Sequence, residues 1–313
     1  MNKSKEKNSK MKKIDNFVGT VSLIAIALVF LIKFVMIDDT RAMYNLGNCR
    51  NLTQDAHIVV VFLDDMESVW TDEEAAAFME NQVAPALEFI EKGAAQYGYT
   101  IDLSASYQKP EDPLTGNTTL TNNSDTTAFS PESLFNLGFR SLGFKDYKEM
   151  HKAIQNETGK EQVGYLFAVN KPGRSFARPI DGGIKGLFPF LYLQDPEAAV
   201  VYSTGTYSDI DLLTGTNEVG EKTDFAAVAH ELLHLFGAED MYLDDAVNAL
   251  TGKGTVEVRS GRAKLAMELH PYEIMNGGSG LAPDEYMIGD FTAYTVGWLK
   301  KLPAVYDVDE WWE

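Results

Sequence analysis

Thr223-Asp224-Phe225-Ala226-Ala227-Val228-Ala229-His230-Glu231-Leu232-Leu233-His234-Leu235-Phe236-Gly237-Ala238-Glu239-Asp240 is the stretch from which the rest of the chain can be read. Thr223 or Asp224 supplies a side-chain oxygen for the first free N–H groups of a helix. The helix then runs from Phe225 to Phe236 and is apolar nearly all round, which predicts a segment buried through the middle of a domain. Two histidines and a glutamate inside such a helix are costly to bury unless something satisfies them. His230 and His234 lie four residues apart, on one face and one turn apart, so both reach a single metal ion. Glu231 stands beside the first histidine, where a carboxylate can act on a metal-bound water. Gly237 is placed to end the helix in the left-handed conformation, and the chain that turns back offers Asp240 as a third ligand. Glu239 and His270 are the alternative third ligands. A pair of core histidines satisfied by hydrogen bonds is the plain alternative to a metal site, and the Gly and Asp that follow in register weigh against it.

Working outward, Ala56–Leu63 is an apolar, β-rich run of the kind buried in a parallel sheet. A helix follows, opened by Thr71 with Asp72, Glu73 and Glu74 in its first turn and running to Gln96 with a kink expected at Pro85. Tyr99–Tyr107 alternates and reads as a second strand, so the chain opens on a βαβ unit. Residues 108–130 form a polar loop, a short helix starts at Ser130, and Phe144–Asn156 is another helix. Val163–Val169, Leu187–Leu193 and Ala198–Ser203 read as further strands, Pro189 suiting the second of these to a sheet edge. Residues 204–222 read as a second polar loop. The fold class read from this order of elements is α/β (α+β).

The chain has 313 residues and a formal charge of −19. Residues 1–36 hold seven lysines against Glu6 and Asp15, which leaves 20 basic and 44 acidic residues, or −24, for residues 37–313. Such a body is repelled by phosphate backbones, which excludes nucleic acid as a natural partner. Residues 17–37 carry one charge, Lys33, in 21 residues, close to the roughly 20 needed to span a bilayer. With a basic tail over residues 1–16, this predicts a single-pass signal anchor with a cytoplasmic N-terminus. A signal peptide cleaved to release a secreted protein is the alternative, but the run is long and no small-x-small site follows it. Residues 38–54 read as a stem. Cys49 is the only cysteine, so no intramolecular disulfide exists. Leu46-Gly47-Asn48-Cys49 only faintly matches a lipoprotein box, and a zinc-capping latency role for Cys49 is a weaker reading than an inert thiol. The acidic loops have no EF-hand spacing, so calcium is not argued.

The pattern H-E-x-x-H-x-x-G-x-x-D at His230–Asp240 resembles the metzincin clan of zinc metalloproteases, with Asp in place of the more usual third His. Tyr272-Glu273-Ile274-Met275-Asn276-Gly277-Gly278 is similar to the clan's methionine turn, with Met275 as the turn methionine. Asp240-Met241-Tyr242 and Phe291–Leu299, ending Gly297-Trp298-Leu299, resemble the immune inhibitor A-type metalloproteases. The resemblance implies a protease domain over residues 55–313, with an upper subdomain (55–236) built on a twisted, mostly parallel sheet with helices, and a smaller, mostly irregular lower one (237–313). It also implies one catalytic zinc. Several metzincins have a tyrosine two residues after the turn methionine, where this chain has Gly277; Tyr242, Tyr272 and Tyr286 are the other tyrosines to consider.

The expected function is a membrane-anchored zinc endopeptidase acting on a peptide or protein substrate. His230, His234 and Asp240 hold the metal, Glu231 is the general base, and the Leu187–Leu193 edge pairs with an extended peptide. A metallohydrolase with a non-peptide substrate, and a non-catalytic surface domain on the same scaffold, are the rival classes. Glu231 argues against the second, since a structural metal needs no base beside its ligand.

Overall fold

The computed structural model describes residues 49, 51–110, 138–173, 175–178, 197–206, 219–241, 245–247, 254–256, 261–276, 281 and 284–306. The proposed anchor (17–37), the Leu187–Leu193 strand, residues 130–133 where a short helix is expected to start, Tyr242 and Gly277 lie outside these residues. Among the described residues no helix is long and apolar enough to cross a membrane.

The strands are β1 (Ala56–Leu63), β2 (Leu103–Gln108), β3 (Gln162–Gly173), β4 (Phe176–Arg178), β5 (Ala198–Thr206) and β6 (Val219–Lys222). They form a six-stranded sheet in the order β2-β1-β3-β5-β4, with β6 also on β5. β1, β2, β3 and β5 are mutually parallel, while β4 and β6 run antiparallel to β5. β6 falls within residues 204–222, where a loop was expected. Its Lys222 and Val219 pair with Thr204 and Thr206, and a four-residue strand with two charged positions carries too little apolar alternation to stand out.

Side chains alternate across the sheet, and the alternation divides the core in two. Val59, Val61 and Leu63 of β1 meet Tyr165, Phe167 and Val200 on one face, covered by Met150 and Ile154 of α3 (Tyr147–Thr158). Ile58, Val60 and Phe62 face the other way, with Leu166, Ala168, Ala199 and Val201. That second face is covered by α1 (Asp72–Phe78), α2 (Ala84–Gln96) and α4 (Phe225–Leu235). Each fully buried large apolar side chain of this kind contributes roughly 1.5–3 kcal/mol.

α1 opens on a capping box: Glu74 N–H donates to Thr71 Oγ1 at 3.1 Å, and Thr71 N–H donates to Glu74 Oε2 at 2.9 Å. Between α1 and α2 the helix widens into a π turn over Met79–Val83, and Ala84 N–H donates to Met79 O, five residues back. The cause lies at Pro85, which has no N–H and whose ring would collide with the carbonyl four residues earlier. The kink expected there is thus absorbed one turn earlier, and Pro85 sits in the first turn of α2.

Beyond α4 come a short hairpin of β7 (Asp245–Val247) and β8 (Gly254–Val256), then α5 (Gly261–Leu269), a 3₁₀ turn (Ile274–Asn276) and α6 (Asp290–Thr295). Cys49 and Leu52 are buried, so the globular body takes in the end of the stretch read as a stem. Leu52 N–H donates to Val296 O at 2.8 Å, and the Trp298 indole N–H donates to Leu52 O at 2.6 Å.

Candidate metal centre

α4 is capped by Asp224, whose Oδ1 accepts from Ala226 N–H at 3.0 Å and Ala227 N–H at 3.2 Å. Nine of its eleven residues are buried, so its polar side chains have little choice of direction. The helix ends at Gly237, with φ of 95°. Gly237 N–H donates to His234 O at 3.0 Å and Ala238 N–H donates to Leu233 O at 3.1 Å. This pair of bonds is the Schellman closure, and it reverses the chain. The reversal has two consequences. It brings Asp240 back beside the helix, and it puts the Ala238 carbonyl 2.7 Å from His234 Nδ1.

His230 Nδ1 faces a carbonyl too, that of Ile274 at 3.1 Å. A ring nitrogen against a carbonyl must donate, so in both neutral rings Nδ1 carries the proton and Nε2 presents a lone pair. The two Nε2 atoms are 3.1 Å apart, and Asp240 Oδ1 lies 3.0 Å from that of His230 and 3.1 Å from that of His234. Three electron-rich atoms so close together require positive charge among them. A shared proton serves one pair at a time; a divalent ion serves all three. Tetrahedral zinc, with bonds of about 2.0–2.2 Å, spaces its ligand atoms by roughly 3.3 Å, near what is seen here. Burial works to raise the Asp240 carboxyl, but positive charge at the two histidine Nε2 atoms outweighs it and holds the carboxyl well below the usual carboxylate range. The donor set therefore fits a zinc ion.

Among the described residues this is the one group of three or more His, Cys, Asp or Glu close enough to share an ion. Glu239 and His270 do not join it; His270 packs against Gly289. Cys49 does not join it either. Its thiol lies over Gly164 of β3 and its N–H donates to Glu197 Oε2 at 2.8 Å. Burial, with the nearby Glu197 carboxylate, pushes that thiol well above its ordinary range, the opposite of a metal-binding thiolate. A zinc cap and a lipid-modified terminus at Cys49 both disagree with this packing.

Glu231 is 6% exposed and follows His230 directly on α4. Met275 is fully buried, and its carbonyl accepts Met241 N–H at 2.9 Å, one residue past Asp240. The Ile274–Asn276 turn thus touches the site twice, through Ile274 at His230 and Met275 beside Asp240. Tyr272 is exposed, and Tyr286 packs edge-on against the Phe225 ring at 5.8 Å. Three groups escaped the sequence reading: the Ala238 and Ile274 carbonyls and the Glu273 carboxylate. Backbone acceptors leave no trace in residue identity, whereas Glu273 lay within the turn motif, and its signal was a charged residue in an otherwise apolar run.

Among the described residues, the last strand on the β5 side of the sheet is β4, whose Phe176, Ala177 and Arg178 pair with Val200, Ala199 and Ala198. Compared with protein-family models and with curated proteins, the chain matches none.

Proposed function

We propose that the chain is a zinc-dependent endopeptidase of metzincin type, held at the membrane by residues 17–37 with its catalytic domain outside. The observation that carries this reading is the meeting of Asp240 Oδ1 with both histidine Nε2 atoms, with Glu231 next to His230 in the helix. Bound by His230, His234 and Asp240, zinc would supply a Lewis acid that polarises water and the scissile carbonyl. The chain's own groups do the rest. Ala238 O and Ile274 O hold the two imidazoles in the tautomer that leaves Nε2 free for the ion. Glu231 accepts the proton of the attacking water and returns it to the leaving amine. Leu187–Leu193, outside the described residues, is the strand expected to pair with an extended peptide. The likeness of the His230–Asp240 pattern to metalloproteases is what favours a peptide over a non-peptide substrate.

The test is metal content. The full-length chain should hold one zinc per molecule, and His230→Ala with His234→Ala should abolish it. A well-folded chain without stoichiometric zinc would overturn the proposal. A zinc protein that leaves a broad peptide mixture uncut would retain the metal site and remove the peptidase.

A further inference from the structure

We infer that Glu273 is a positioning residue of the metal centre: its buried carboxylate builds the turn whose two carbonyls hold His230 and the segment carrying Asp240. The inference rests on the metal site proposed above. Glu273 is 1% exposed, and Ile274, Met275, Ile288 and Phe291 of the two segments it joins are buried with it, as is Thr292 beside the carboxylate. A carboxylate there is costly unless bonded, so its bonds say what it is for. Oε2 accepts Met275 N–H at 2.6 Å, and Oε1 accepts Gly289 N–H at 3.3 Å. The first bond caps the one-turn 3₁₀ helix Ile274–Asn276 from its N-terminal side. The second ties that turn to the residue that opens α6, 16 positions further on.

Aspartate or serine would cap a turn locally. Only a longer side chain also reaches Gly289, and Gly289 is built to receive it. A Cβ there would lie 3.2 Å from Glu273 Cγ and 3.0 Å from His270 Cδ2, tighter than ordinary contact. The turn is pinned further by Ile274 N–H to Met287 O at 2.9 Å and Met287 N–H to Tyr272 O at 3.1 Å. Its outward carbonyls are those that serve the site, Ile274 O at 3.1 Å from His230 Nδ1 and Met275 O at 2.9 Å from Met241 N. Glu273 therefore acts on the ligands through the backbone of its own turn and touches no reacting atom. His234 is oriented separately, by Ala238 O, which Glu273 does not touch.

That asymmetry supplies the test. Glu273→Gln and Glu273→Ala are made in the full-length chain, with Co²⁺ as the metal probe. Imidazole tautomers are read in the metal-free protein by long-range ¹H–¹⁵N NMR. Glutamine keeps one acceptor oxygen and faces an N–H with its own NH₂, so it should lose one of the two bonds. Co²⁺ affinity should fall about 10-fold in the glutamine variant and up to about 100-fold in the alanine variant. His230 should lose its ordered Nδ1–H donation to Ile274 O while His234 keeps its donation to Ala238 O. Unchanged affinity with unchanged His230 in the glutamine variant overturns the inference. So does loss of order at both histidines together, or outright unfolding of that variant, since either makes Glu273 a general core residue. If the unaltered chain fails to bind Co²⁺, the metal site falls, while the His230 tautomer still decides the role of Glu273.

Discussion

Two ring nitrogens and a carboxylate oxygen 3.0–3.1 Å apart repel one another unless positive charge lies among them, and Glu231 is the adjoining group that can move a proton. Glu231→Gln keeps the side chain's shape and removes its basicity. It should retain stoichiometric zinc and lose about 10²-fold or more in peptide turnover. Undiminished cleavage would eliminate Glu231 as the base. At this scale the histidines and Glu231 were legible because helical periodicity fixes their common face wherever the helix lies. Asp240 was legible only as one of three alternatives, since its return depends on the angle at which the chain leaves Gly237. The groups that orient the rings were not legible. Ile274 O comes from 44 residues beyond His230, and any residue type can supply a carbonyl.

The end of α4 is an element whose conformation sets the chemistry. Gly237 has φ of 95°, which costs a residue with a Cβ about 1–2 kcal/mol. Gly237→Ala should lower stability by about that much in denaturant melts. It should also weaken zinc binding, because the strained turn holds both Ala238 O and Asp240. A variant with normal zinc affinity would uncouple turn from ligand. α3 against β3 gives an element-scale pH dependence. His151 of α3 bonds Tyr165 of β3 through Nδ1 at 2.9 Å, and burial lowers its pKa to about 4. The folded state binds this proton more weakly than the unfolded chain, whose histidine titrates near 6.5. The stability difference is therefore flat above pH 6.5 and lost as pH falls toward 4, by up to about 1.4 kcal/mol per pH unit. Comparing unfolding of the original chain with His151→Gln across this range isolates the effect, and parallel profiles would refute it. The long elements were readable because their apolar periodicity spans many residues. β4 and β6, at three and four residues, present too few positions for a period to show.

At the scale of the whole molecule, the chain closes on itself where its first described residues meet its last helix. Trp298 donates its indole N–H to Leu52 O, 246 residues away, and stacks on Tyr97 of the Tyr97-Gly98 turn with centroids 6.0 Å apart. Gly297, with φ of 94°, makes room for the same segment, since a Cβ there would come within 2.7 Å of Asn51 Cβ. The Gly-Trp-Leu motif, which in the sequence served only as a resemblance, thus has a physical role, the docking of residues 51–52 onto the body. The sequence showed the motif but not its partner, because long-range docking of a short polar segment has no periodicity to read. Such a clasp predicts how the protein fails when it is weakened. Trp298→Phe keeps an aromatic ring for Tyr97 and removes the donor, leaving the buried Leu52 carbonyl unsatisfied at about 1–3 kcal/mol. The hydrogen bonds of this clasp join Leu52 to Val296 and Trp298, away from the proposed ligands, so zinc affinity should hold while global stability drops by that amount. Limited proteolysis should then cut first near residues 49–55, the segment released. Equal loss of zinc affinity and stability would show that the clasp and the metal centre form one cooperative unit, and would refute their separation.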